Sequence, residues 1–202
     1  MHNIIETGKT VIQKLGNTYC PDAIIAGGWV REQIFNFPDK IKDIDIWTTH
    51  RISKDNLLEL FPELENFQMF TTRIDPRLFC VFKFSLKGID IDIMFIDPEY
   101  IPPDGNITDT FDFNICRCWS LDGEILLGHP TFWSDFNNKT IAYNKTPYND
   151  KNARRIIKNH LPRLIEKFPD YQVVCDSELY ELADQYENDP VEGTEDNPSG
   201  CT

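Results

Sequence analysis

Along this 202-residue chain the hydrophobic positions change period several times, and each change marks an element. Ile4, Ile5, Val11, Ile12 and Leu15 form a stripe at helical spacing that ends before Pro21. Ala23, Ile24, Ile25 and Ala26 make a short apolar run closed by two glycines, which predicts a buried strand. After Gly27 and Gly28, residues Trp29, Val30, Gln33, Ile34 and Phe35 return to helical spacing, closed by Asn36 and Pro38. Ile41, Ile44, Ile46 and Trp47 surround Asp43 and Asp45 and predict a strand with one covered face. Ser53 caps a helix through Leu57, Leu58 and Leu60 that stops at Pro62. Residues 68–72 and 78–85 read as strands, and Lys87-Gly88 is a tight-turn signal. The strand that follows puts Ile89, Ile91, Ile93 and Phe95 on one face and Asp90 and Asp92 on the other.

The second half of the chain is more helical. Residues 98–105 form a proline-rich loop, and Cys116 and Cys118 alternate along a predicted strand. His129-Pro130-Thr131 caps a short helix whose Phe132, Trp133 and Phe136 read as core aromatics. Ile156, Ile157, Leu161, Leu164, Ile165 and Phe168 form an apolar stripe in which Pro162 forces a kink or restart, with Arg154, Arg155, Lys158, Arg163 and Lys167 on the solvated side. Ser177 opens a last helix carrying Leu179, Leu182, Ala183 and Tyr186. Strands alternating with helices predict an α/β (α+β) fold, a mixed β-sheet flanked by helices with a small C-terminal helical extension. The expected division is a main domain over 1–145, a helical extension over 146–187 and an acidic, Pro/Gly-rich disordered tail over 188–202.

Charge refines this division. The net charge is −13, but ten of the 33 acidic residues lie after Lys167, beyond which there is no Lys or Arg. Residues 1–167 therefore hold 23 acids against 20 bases, too balanced to repel a polyanion and too balanced to form an extended nucleic-acid groove. The six cysteines show no C-x-x-C spacing, and the four histidines form no cluster, so reduced structural thiols are expected. No signal peptide and no membrane-spanning apolar run is read, which predicts a cytoplasmic protein without a membrane partner.

The candidate chemistry lies between Gly27 and Asp92. Strand, Gly27-Gly28 and helix form a turn whose backbone N–H groups can approach an anion, with Arg31 in the first helical turn able to fork onto a phosphate. Asp43 and Asp45, two residues apart on a strand, point the same way at about 6–7 Å separation. Two carboxylates so placed can converge on one Mg²⁺ and share a second, matching ions about 3.5–4 Å apart in two-metal phosphoryl-transfer sites. A third carboxylate comes from the later strand. Asp92, deeper in that strand, is chosen over its close rival Asp90. Carboxylates on a strand this apolar need neutralisation, by a metal or, alternatively, by a Lys or Arg partner.

Ala26-Gly27-Gly28-Trp29-Val30-Arg31-Glu32 followed by Lys42-Asp43-Ile44-Asp45-Ile46 resembles the head domain of CCA-adding tRNA nucleotidyltransferases and bacterial poly(A) polymerases. These belong to the polymerase-β-type nucleotidyltransferase superfamily. Asp112-Phe113-Asn114-Ile115-Cys116 is similar to that family's Asp-Phe-Thr-hydrophobic-Asn segment, with Thr110-Phe111 where an arginine usually precedes it and Cys116 where an Asn usually ends it. Leu121–Leu126 and Asn138–Ile141 resemble the strands that follow. The resemblance implies a nucleotidyltransferase-type sheet, an NTP substrate, two Mg²⁺ held by Asp43, Asp45 and Asp92, and a triphosphate held by Gly27, Gly28 and Arg31.

The expected function is Mg²⁺-dependent transfer of an NMP from an NTP to a hydroxyl-bearing acceptor, either an RNA 3′ end, a protein or a small molecule. Two alternatives stand beside it. One is a catalytically impaired nucleotide- or metal-binding regulator. The other is an interaction protein whose acidic tail engages a basic partner.

Overall fold

The computed structural model describes residues 3–71, 75–175 and 177–185. The expected acidic tail over 188–202 lies outside these residues, as do Thr72 and Tyr186. The chain forms two compact units. The first comprises the described residues up to Ile107 together with Trp119–Leu127; the second comprises Thr108–Cys118 and the described residues from Gly128 onward. No described helix is long and apolar enough to cross a membrane.

The first unit opens with helix α1 (Ile4–Thr18), started by Asn3, whose side chain accepts from the Ile5 amide at 3.0 Å. Val11, Ile12 and Leu15 are its buried stripe. Strand β1 (Ile24–Ala26) runs into α2 (Gly28–Ile34) through Gly27, and the Trp29 indole donates to the Ile4 carbonyl at 3.2 Å. Gly8 leaves the space that this indole fills, since a Cβ there would stand 2.7 Å from it. Then come β2 (Asp43–Thr48), α3 (Lys54–Leu60), β3 (Glu65–Phe70), β4 (Leu78–Leu86) and β5 (Ile89–Ile96). As expected, Ser53 caps α3, accepting from the Asn56 amide. Lys87 and Gly88 both have positive φ, the backbone that a two-residue hairpin between β4 and β5 requires.

With β6 (Cys118–Ser120) and β7 (Leu127–Gly128), these strands form a mixed sheet in the order β3-β4-β5-β2-β1-β6-β7. The observed architecture is therefore mixed α/β, a sheet flanked by helices. β2 and β5 pair in parallel at its centre, while β4 with β5 and β1 with β2 are antiparallel. One face of the central strands is apolar apart from Thr48 at the end of β2, whose hydroxyl donates to Asp22 Oδ1 at 2.6 Å. Ile44, Ile46, Ile91 and Ile93 are fully buried, and Phe82 meets Phe95 edge-on at 4.9 Å. That packing fixes which face the alternating acids must occupy.

The second unit contains α4 (Pro130–Asn138), β8 (Thr140–Ala142), α5 (Pro147–Lys151), α6 (Ala153–Arg155), α7 (Leu161–Lys167), β9 (Gln172–Val174) and α8 (Ser177–Gln185). His129 caps α4 as expected, its Nδ1 accepting from the Thr131 amide. The kink expected from Pro162 takes the form of a π-helical turn over Ile156–His160 before α7 restarts with the proline in its first turn. One strand expectation is corrected. Cys116 ends a 3₁₀ turn, Asn114–Cys116, and only Cys118 is in a strand. The side-chain amides of Asn144 and Asn149 occupy the Phe111 carbonyl just upstream, so this stretch hydrogen-bonds to side chains instead of extending a ladder.

Candidate functional site

Four carboxylates share the polar face of the central strands. In the parallel register Asp43 pairs with Asp90 and Asp45 with Asp92. Neighbouring strands lie about 4.8 Å apart and same-face residues about 6.6 Å apart along a strand, so the four acids occupy a patch of roughly those dimensions. Asp43 and Asp90 are exposed, while Asp45 and Asp92 are partly buried. Both candidates for the third carboxylate thus stand on the correct face, with Asp92 beside Asp45.

β4 completes this surface. Its Lys83 lies opposite Asp92 and its Ser85 opposite Asp90. The Lys83 ammonium forms an ion pair with Asp92 Oδ2, and Ser85 Oγ donates to Asp90 Oδ1 at 2.8 Å. A Lys partner, the alternative means of neutralisation, is therefore present for Asp92. Asp45 has a different environment. Burial first, then the charges of Asp43 and Asp92, push its carboxyl up to about 7, against the opposing pull of Lys83 and Arg31.

The glycine turn faces the same carboxylate. Gly27 has φ 73° and ψ −129°, a backbone that only glycine adopts readily, and a Cβ there would stand 3.7 Å from Asp45 Oδ2. Gly28 begins α2. Arg31 is 6% exposed, and its Nε and Nη2 donate to Glu32 Oε1 at 3.2 and 3.0 Å. The Arg31 guanidinium thus already meets a carboxylate.

The donor chemistry here fits a divalent ion. Carboxylate oxygens are the hard ligands that Mg²⁺ prefers, and a partly buried acid opposed by two neighbouring acids is a group that a cation would relieve. The described residues contain no three His, Cys, Asp or Glu side chains already drawn together around one point. Sequence reasoning did not name Lys83 or Ser85. The available signal was Lys83 as the only charged residue in the run Phe79–Ser85.

In the second unit the Asp112–Cys116 segment is held by side chains. His160 Nδ1 contacts Asp112 Oδ2, and Asn149 Nδ2 donates to the carbonyls of Phe111 and Asn144 at 3.1 and 2.8 Å. Asp150 accepts from the Tyr143 hydroxyl at 3.0 Å, and burial with this bond holds that phenol well above its ordinary range.

The family model for Gabija anti-defense 2 family proteins matches residues 3–139, the stretch that carries the glycine turn and all four face acids. The chain belongs to the Gabija anti-defense 2 family. No curated protein matches it. Among solved structures, the Gabija anti-defense 2 chain is similar to the Thermotoga maritima CCA-adding enzyme complexed with tRNA, at 18% identity and TM-score 0.63, over 92% of this chain and 43% of that one. A tRNA-processing enzyme in an apo form aligns at 16% identity and TM-score 0.61, over 93% and 48% respectively. A CCA-adding enzyme in complex with ATP aligns at 17% identity and TM-score 0.59, over 92% and 43%. The chain spans less than half the length of each. At these identities the likeness is one of fold alone.

Proposed function

We propose that this Gabija anti-defense 2 protein is a divalent-metal-dependent nucleotidyltransferase, and that its anti-defense role acts through moving an NMP from an NTP to a hydroxyl-bearing acceptor. One observation carries the reading: Asp43 and Asp45 lie in register with Asp90 and Asp92 on one face, beside the Gly27 turn. The names of the fold neighbours, which include complexes with ATP, CTP and tRNA, support a nucleotide substrate and make an RNA 3′ end a reasonable acceptor.

In this reading Asp43, Asp45 and Asp92 hold Mg²⁺, which when bound would supply charge neutralisation for the pyrophosphate and acidify the acceptor hydroxyl. The acceptor oxygen bonds to the α-phosphorus as the bond from that phosphorus to pyrophosphate breaks, and the hydroxyl proton is released to water. No covalent enzyme intermediate is needed. The Gly27-Gly28 backbone positions the triphosphate, and Arg31 reaches it by exchanging the Glu32 carboxylate for a phosphate oxygen.

The test is the double variant Asp43→Asn/Asp45→Asn, incubated with radiolabelled NTPs, Mg²⁺ and cell extract. The wild type should label RNA, protein or a small molecule. The variant should fold and lose labelling by at least about a thousandfold, as expected when electrostatic stabilisation of phosphoryl transfer is removed. Equal turnover would refute the proposal. A second reading, an NTP-binding regulator that has lost catalysis, is favoured by the Lys83 contact that already engages Asp92. It expects saturable NTP binding with no label transferred by the wild type.

A further inference from the structure

Resting on the metal-site reading above, we infer that Lys83 serves as the second cation of the carboxylate face, so that the chain takes one divalent ion where a two-metal site would take two. The geometry points to this directly. β4 sets Lys83 opposite Asp92 in register, and the Nζ ammonium contacts Asp92 Oδ2. Asp92 is the carboxylate from which a second ion would have to draw its third protein ligand. A second dication on the Oδ2 side of Asp92 would lie within contact range of the Lys83 ammonium, and at such distances like charges oppose each other strongly even near a protein surface, whereas Asp92 Oδ1 can still complete the ion held by Asp43 and Asp45. Asp43 and Asp45, on β2 beyond β5, have no lysine contact of this kind among the described residues and remain open to an ion.

The arrangement is also built into the sheet instead of being a chance encounter of long side chains. Lys83 is flanked by Phe82 and Phe84, both buried on the opposite face, so the pleat fixes its direction. Its aliphatic stem crosses from β4 to β5, and its charge acts on Asp45 as well as on Asp92. Ser85 treats Asp90 similarly, with a neutral hydroxyl in place of a cation. Of the four acids, then, those on β5 are supplied with partners by β4, while those on β2 are not. A single divalent ion on the β2 side and one ammonium on the β5 side divide the positive charge between ligand and protein.

The experiment counts ions without reference to turnover. Full-length wild type, Lys83→Met, Lys83→Arg and Asp45→Asn are titrated with Mn²⁺ at pH 8 by calorimetry and by electron paramagnetic resonance. Circular dichroism checks the fold, which the substitutions at Lys83 should leave intact because its side chain is 47% exposed. Wild type and Lys83→Arg should take one Mn²⁺ per chain, and Asp45→Asn should lose it. Lys83→Met should take a second, at least about tenfold tighter than any second ion in wild type, and should show the broadening of two coupled Mn²⁺ centres. Two ions in wild type, or a single unchanged ion in Lys83→Met, would overturn the proposal while leaving the metal site standing. No Mn²⁺ in any variant would remove the metal-site reading, and this proposal with it.

Discussion

Replacing Asp45 with Asn should stabilise the protein at neutral pH and leave it unchanged in acid. In the folded chain this carboxyl is held at about 7 against an ordinary 3.8, chiefly by burial and then by Asp43 and Asp92. Below pH 4 the acid is protonated in folded and unfolded chains alike, and the site contributes no pH dependence. Between about pH 4 and pH 7 the unfolded chain loses this proton while the folded chain keeps it, so stability falls as pH rises. The gap from 3.8 to about 7 sets a ceiling of about 4 kcal/mol. Solvent access at this partly buried position and relaxation around it reduce that to about 2 kcal/mol. Asn has nearly the same shape and no charge, so the variant should lack this one contribution while keeping those of the other titrating groups. Urea unfolding in metal-free buffer at pH 4, 5, 6, 7 and 8 measures both curves. Wild type and variant should coincide at pH 4 and diverge to about 2 kcal/mol by pH 8, with the variant the more stable. Adding Mg²⁺ at pH 8 should narrow the gap by stabilising wild type alone. Parallel curves, with one constant offset at every pH, would refute the account of Asp45.

Two further perturbations probe the frame around the site. Gly27→Ala should cost about 1–2 kcal/mol in urea unfolding, because φ 73° opposes a Cβ although the space for one exists 3.7 Å from Asp45 Oδ2; an unchanged midpoint would remove the conformational argument. Arg77→Met should cost about 3 kcal/mol by leaving Asp75, 7% exposed and bonded to Arg77 at 2.7 and 3.0 Å, buried without this partner. Asp75→Asn/Arg77→Met should recover most of that loss in the same assay.

The strand faces were legible because the Ile/Asp alternation of 43–46 and 89–93 admits only one buried side. That rule also placed Asp90 and Asp92 together opposite the apolar core. It could not give the partner of either. Whether β2 runs beside β5, and in which register, depends on how segments more than 40 residues apart assemble; Lys83 meets Asp92 through the shorter β4–β5 hairpin, whose register is set by the two-residue turn at Lys87-Gly88. Arg31 was read from its place in the first turn of α2 as a group facing an anion; Glu32, its sequence neighbour, supplies that anion inside the fold. Strand β9, three residues long, carries no period that could be counted. Cys116 was read as strand because the bonds that curl its segment come from Asn144 and Asn149, some 30 residues later.

A fold shared at 16–18% identity does not decide whether this sheet catalyses transfer, since the same scaffold can carry or lose a site. The charge on its polar face is more discriminating. Four acids on two adjacent strands oppose one another, and β4 gives direct partners to those on β5, through Lys83 and Ser85, while Lys83 acts on Asp45 by its charge alone. The acids of β2 are left with Asp45 pushed toward neutrality, a conformational liability that a simple Asp-to-Asn change would remove. A sheet face with no ligand would be more stable without that acid. Its presence is consistent with a face whose working state includes a positive visitor, and the visitor must be small enough to sit beside the Gly27 turn, where no side chain intervenes. A divalent ion arriving with a triphosphate satisfies both conditions.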